Sequence, residues 1–416
     1  MKRISTLAIA VSLLTGGALL ATPAVAQKKK DAAAAQPAAW APKISREEAK
    51  ALQPVETAVN AQDWATAATA LATAQGQISS PDGKYYLGQF QVQIGGGTNN
   101  PQLQAQGIDA MIASGGGDPT KTALLYKNQG ALAVGAEDYA KAEAAYDRWI
   151  QLAPNDPEAQ IAVAEVKFRQ KKPQEAFPLF ERAIAARQAA GQQVPENWYL
   201  LALQSALDAK ATPQTVALSR NLLTAYPTAK NWRNGILIYR QSNELDPATR
   251  LDTLRLMRAT KSLDRSDEYL SLADQLARGS YYAEAKAVLD EAAAAGKVPA
   301  SNADAAAIRT AVTGKIAGDK AALPGLEARA RSGATGELAL RLADGYYGHG
   351  DYMKAAEFYR TALQKGSVDT NVANTRLGMA LALAGQKAEA EAAFKAVTGP
   401  RAGLASYWTL WLAQRG

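Results

Sequence analysis

The sequence predicts an all-α fold: about ten helix–turn–helix units stacked into a solenoid, with a further helix covering the end. Three observations predict it: a repeated spacing of small and large residues, a short turn inside each unit, and an apolar-faced C-terminal segment. Around Ala142 the spacing reads Gly130, Tyr139, Ala142 and Tyr146. It recurs as Ala164, Ala176, Phe180 and Ala183, then as Ala273, Tyr282, Ala285, Leu289 and Ala292. Ala343, Tyr352, Ala355, Tyr359 and Ala362 repeat it, as do Gly378, Ala390 and Phe394, and more faintly Trp64, Ala67, Leu71 and Ala74. Ala142 to Ala176 spans 34 residues and Ala355 to Ala390 spans 35. Small residues on successive helices let their axes approach, while large residues four apart fill one face against the neighbouring pair. Turns such as Gln62-Asp63 and Gly350-Asp351 divide the helices. Glycine accepts the backbone angles of such a turn, and aspartate caps the helix that follows. One unit cannot bury its apolar face alone, so the units must stack.

Ahead of the repeats, Lys2 and Arg3 precede an apolar run from Thr6 to Ala21, and Ala24-Val25-Ala26 supplies a small-x-small pattern. Residues 1–26 therefore read as a signal peptide cut before Gln27. The run is shorter than the roughly 20 residues of a membrane span, so no stable anchor is expected after cleavage. The expected location is a bacterial periplasm. Residues 27–42, QKKKDAAAAQPAAWAP, have little to bury and read as a flexible tether. The chain has no cysteine, so an oxidising compartment would add no disulfide. With a single histidine it also cannot build a Cys/His metal shell. The formal charge is +7, and Lys2, Arg3, Lys28, Lys29 and Lys30 carry most of it, leaving a body that gives no reason to expect nucleic acid as a partner.

A period of 34 with helix–turn–helix content resembles the tetratricopeptide repeat family. The units that carry the resemblance are ALLYKNQGALAVGAEDYAKAEAAYDRWIQLAPND, PEAQIAVAEVKFRQKKPQEAFPLFERAI, SDEYLSLADQLARGSYYAEAKAVLDEAA and GELALRLADGYYGHGDYMKAAEFYRTAL, followed by NVANTRLGMALALAGQKAEAEAAFKAV. Trp149 replaces a small residue, and Pro173 and Pro178 stand early in a second helix. The resemblance implies a right-handed solenoid with clear repeats over 121–194, 266–299 and 336–400. Divergent repeats or helix pairs would fill 43–120, 195–265 and 300–335. In residues 401–416, Leu404, Tyr407, Trp408, Trp411 and Leu412 share one helical face, which reads as a cap for the last repeat.

Candidate catalytic groups are few. His349 falls in the turn of one unit, where a general base would lack a cleft, and Asp351 reads as the cap of the next helix. SGGGDPTKT, residues 114–122, suggests a phosphate loop through Gly115, Lys121 and Thr122, but Thr120 replaces the second glycine and helix rather than strand precedes it. Asp118 as cap and Pro119 in the first turn explain it as an inter-helix loop. Paired carboxylates such as Asp290/Glu291 and Glu389/Glu391 read as solvated helix faces. No catalytic, metal or cofactor residue is assigned.

The resemblance implies instead a groove lined by the first helix of each pair, where a protein or peptide segment binds. Lys127, Phe168, Arg169, Tyr199, Lys230, Arg233, Arg240 and Tyr347 are expected to face it, with Glu165, Leu203 and Asp274. The family's carboxylate clamp pairs a lysine with an asparagine one turn on; Lys127 is present, but Ala131 stands in the asparagine's place. The expected function is an exported, non-enzymatic interaction scaffold in the cell envelope, by family analogy in assembly, outer-membrane or polysaccharide-export processes. The alternatives are a glycan-active enzyme like the α-superhelical lytic transglycosylases and a homotypic assembly protein.

Overall fold

The computed structural model describes residues 40–415. The expected signal peptide and most of the expected tether lie outside the described residues. Within them the chain forms twenty-one α-helices, two single-turn 3-10 helices and no strand. It divides into two compact units at Ala209 and Lys210.

Unit 1 contains α1 (Arg46–Asn60), α2 (Trp64–Gln75), α3 (Pro81–Gly97), α4 (Pro101–Ser114), α5 (Thr122–Gly135), α6 (Tyr139–Leu152), α7 (Pro157–Arg169), α8 (Pro173–Ala189) and α9 (Glu196–Asp208). Side chains open most of these helices. Ser45 and Glu48 form a reciprocal capping box at α1, and Asp63, Ser80, Asn100, Asp138 and Asp156 each accept a backbone N–H in the first turn of the next helix. Pro173 opens α8, where its missing N–H costs nothing. The turn inside each pair places one residue in the left-handed region: Gln62, Asn99, Glu137 and Lys171. These turns recur because each must reverse the chain in the same few residues.

The expected spacing is the packing. Ala142, Ala164, Ala176, Phe180 and Ala183 are fully buried, and Tyr146 nearly so. Gly130 is required by contact: a Cβ there would stand 2.2 Å from the Tyr146 ring. Trp149, which breaks the small-residue pattern, is buried against Tyr146 and under the Lys127 ammonium. The core of unit 1 forms successive clusters, one around Leu52, Ala67 and Leu71, one around Ile108 and Met111, and one around Tyr146 and Val163. That is the nearest-neighbour burial of a solenoid.

Unit 2 contains α10 (Thr212–Ala225), α11 (Ala229–Gln241), α12 (Pro247–Ala259), α13 (Ser266–Arg278), α14 (Tyr282–Ala294), α15 (Ala303–Thr313), α16 (Ile316–Ser332), α17 (Glu337–Gly348), α18 (Tyr352–Lys365), α19 (Thr370–Leu383), α20 (Lys387–Lys395) and α21 (Ala402–Ala413). The stretch 195–265, where the repeat spacing slips, is where one stack ends and the next begins. The repeat positions Ala273, Ala285, Ala343, Ala355, Tyr359 and Ala362 are fully buried. Gly378 again faces an aromatic ring, since a Cβ there would lie 2.4 Å from Phe394.

Among the described residues, a core cluster of unit 2 runs from Leu223 to Leu412. The C-terminal helix explains its continuity. Trp408 stacks on Phe394 of α20 (6.2 Å, 17°), covering the last pair as expected. The same helix also reaches the first helices of the unit, which the capping reading did not include. Tyr407 packs edge-on to Trp232 and Tyr239 of α11, and its hydroxyl pairs with Ser219 of α10 at 3.0 Å. Gln414 donates to the Leu223 carbonyl at 2.8 Å and accepts from the Trp232 indole at 3.2 Å. The Tyr239 hydroxyl donates to the Pro400 carbonyl at 3.2 Å. Residues 400–414 thus join the start of unit 2 to its end.

Candidate functional site

Charged side chains from five elements of unit 2 converge in its interior. Asp252 and Arg255 (α12), Glu284 (α14), Asp344 (α17), Arg376 (α19) and Arg401, just before α21, are all buried. Arg255 donates to both Glu284 oxygens (3.0 and 2.6 Å) and to Asp252 (3.1 Å). Arg376 donates to Asp344 at 2.6 Å, and Arg401 to Asp252 at 2.6 Å. Tyr359 and Tyr281 hydroxyls donate to the two Asp344 oxygens. Burial opposes the charge on Arg255 and Arg376, but the facing carboxylates outweigh it and hold both pKa values well above the ordinary arginine range. Three arginines thus balance three carboxylates, as buried charge requires.

Beside this network lies a recess of about 620 Å³, lined by α12, α13, α14 and the facing ends of α17, α18 and α19. Most of its charges are already paired. Arg258 binds Glu291 through two N–H groups (2.9 and 2.6 Å), and Lys297 lies 2.6 Å from Asp264. Other groups are not. Lys261, exposed in the left-handed turn after α12, makes no ion pair among the described residues. Tyr347 is only 5% exposed, and its hydroxyl has no hydrogen-bond partner among the described residues. Burial pushes that hydroxyl well above the ordinary tyrosine range, so it stays protonated and can donate. A second recess of about 420 Å³ adjoins the first, sharing Ala259, Lys261 and Leu383. Trp232, Trp411 and Arg415 line it, and no acidic residue does.

The groove residues expected from the sequence fall in both units. In unit 1, Lys127 pairs with Glu158 at 2.7 Å, Phe168 packs edge-on to Phe180, Arg169 is exposed, and Tyr199 is buried with its hydroxyl bonded to Gln188. In unit 2, Lys230 is exposed on α11. Arg233 is committed to Glu268 (2.9 and 2.6 Å), whose other oxygen caps the start of α13. Arg240 is partly buried, and burial together with Arg250 lowers its pKa. Arginine pairing therefore serves packing at Arg233. Of the eight, Tyr347 alone lines the recess of about 620 Å³. Sequence spacing missed Lys261, which lies in a turn outside the repeat positions, and Arg255 and Arg376, whose partners are on distant helices.

His349 ends α17, with its side chain 6% exposed and Nε2 2.7 Å from Asp319. Asp351 caps α18, as expected, by accepting the Lys354 N–H at 3.2 Å. SGGGDPTKT is an inter-helix loop: α4 precedes it, Gly115 takes a left-handed conformation and Asp118 accepts the Thr120 N–H. Among the described residues, no group of three His, Cys, Asp or Glu side chains is placed to hold a metal ion, and no helix is long and apolar enough to cross a membrane.

No family model matches the sequence, and no curated protein matches it. Among solved structures it is similar to a tetratricopeptide repeat protein from Parabacteroides merdae, at 13% identity over 81% of this chain and 100% of that one, with a TM-score of 0.35. It is similar to pilF of Pseudomonas aeruginosa at 16% identity, over 56% of this chain and 91% of that one, with a TM-score of 0.29. The apo form of RapI gives 12% identity, 76% and 97% coverage, and a TM-score of 0.33. The described residues form an all-α array of helix pairs, with buried alanines, close Gly130–Tyr146 and Gly378–Phe394 contacts and recurring left-handed turns.

Proposed function

We propose that this protein is an exported, non-enzymatic scaffold of the bacterial cell envelope that holds a segment of a partner protein in the recess of unit 2. The observation that carries this reading is the pairing state of the recess. Its walls are fixed by ion pairs, while Lys261 and the Tyr347 and Tyr352 hydroxyls have no partner among the described residues. Rigid walls with a few open polar groups suit recognition, because little ordering is needed on binding. The export signal read in residues 1–26 supports the envelope location.

Site-specific photo-crosslinking tests it. A photoreactive amino acid at Ala295, exposed in the recess lining, should yield a discrete protein adduct in producing cells. The same group at Met353, which is 53% exposed and lines neither recess, should not. Equal adducts from both positions, or none from Ala295, would contradict the reading. The purified chain should release nothing from cell-wall glycan, and turnover there would favour the enzymatic alternative. Release by osmotic shock, with a mature chain starting at Gln27, checks export.

A further inference from the structure

Resting on that reading, we propose that the segment held in unit 2 is acidic: a carboxylate of the partner docks at Lys261, with an apolar side chain beside it against Trp232 and Trp411.

Charge complementarity selects this occupant. In the larger recess, Arg255, Arg258 and Lys297 are each neutralised by a carboxylate of the protein itself. Lys261 sits where the two recesses meet and has no such partner among the described residues. The smaller recess adds Arg415, whose guanidinium lies 4.5 Å above the Trp411 ring, and brings no acid. A basic segment would face Lys261 and Arg415 with nothing to offset the repulsion, whereas a carboxylate meets an ammonium that needs no displacement of an existing ion pair. The buried Tyr347 hydroxyl supplies a second donor in the larger recess.

The same accounting favours a protein segment over an acidic polysaccharide. A sugar presents many hydroxyls that must each find a partner when desolvated. Here the Trp232 indole N–H is taken by Gln414 and the Tyr269 hydroxyl by the Leu263 carbonyl. In the smaller recess few open polar groups remain beside Trp232, Leu383 and Trp411, which suits a carboxylate flanked by apolar side chains.

The test uses the mature full chain and fluorescein-labelled peptides in which leucines are flanked by glutamate, by glutamine or by lysine. Anisotropy should show the glutamate peptide binding about tenfold more tightly than the glutamine peptide, with affinity falling as salt rises. Lys261→Glu should weaken it by about tenfold or more, and Lys261→Arg should retain it, which separates loss of charge from loss of fold. Sodium polygalacturonate should compete poorly. Equal binding of the three peptides, or indifference to Lys261→Glu, would overturn the acidic assignment. Stronger binding of polygalacturonate would overturn the protein segment. If no peptide binds while the Ala295 photo-adduct persists, the acidic inference falls and the recess remains the docking site; if both fail, both readings fall.

Discussion

Arg401 and Asp252, 149 positions apart in the chain, are joined by a 2.6 Å hydrogen bond from Nη2 to Oδ2. Asp252 also receives Arg255 and Arg376, so one carboxylate ties α12 to α19 and to the segment entering α21. Removing it should cost far more than removing one of its cations. Asp252→Ala strands buried guanidinium groups and should destabilise unit 2 by about 3–5 kcal/mol. Arg401→Met leaves Asp252 with two arginines and should cost only about 2 kcal/mol, the worth of a charge-assisted hydrogen bond. Guanidinium denaturation followed by tryptophan fluorescence measures both. A larger loss for Arg401→Met than for Asp252→Ala would contradict this ordering.

The repeat spacing makes a sharper prediction at glycine. Gly378→Ala drives a methyl to within 2.4 Å of Phe394 and should destabilise by about 1–3 kcal/mol. Gly325, exposed within α16, has nothing within 4 Å of a built Cβ. Gly325→Ala should therefore stabilise by about 0.5–1 kcal/mol, by lowering the entropy of the unfolded chain. Thermal melts of the two variants should move in opposite directions.

Acid should loosen the start of unit 1. Glu48 is buried, which raises its pKa, but N–H groups of Ser80, Ser79 and Ser45 and the Ser80 hydroxyl outweigh burial and hold it at about 2. A depressed carboxylate stabilises the fold above its unfolded pKa of 4.5 and loses that contribution as pH falls toward about 2. Protection of the Ser79 and Ser80 amides from hydrogen exchange, relative to their intrinsic rates at each pH, should fall across that window. Glu48→Gln should cost about 2 kcal/mol at neutral pH and flatten the acid dependence.

The lone histidine should prove structural. His349→Ala removes one partly buried contact with Asp319 and should cost about 1 kcal/mol while leaving the Ala295 adduct unchanged. Loss of the adduct in a folded variant would show that the histidine belongs to the functional site.

The repeat positions were legible because small-to-large contacts between adjacent helices are local and leave a period: Gly130 and Tyr146 lie on the two helices of one pair. The same signal placed His349 and SGGGDPTKT at or between helix ends. It could not show that Arg401 meets Asp252, because nothing local distinguishes an arginine paired across the unit from one facing water. Arg233 shows the converse, reading as an open recognition arginine yet bound to Glu268 of a later helix. The site was harder still. Lys261 has no periodic signature, and its importance comes from its neighbours being paired while it is not.

Whether residues 400–415 fasten the first helices of unit 2 to its last is tested most directly by a pulsed electron-spin distance measurement. The chain has no cysteine, so Lys230→Cys on α11 and Ala413→Cys on α21, both exposed, label uniquely. A single narrow distance distribution is predicted, broadening when Arg401→Met is added. A broad distribution in the otherwise unaltered chain would contradict the closure of unit 2 by its C-terminal helix.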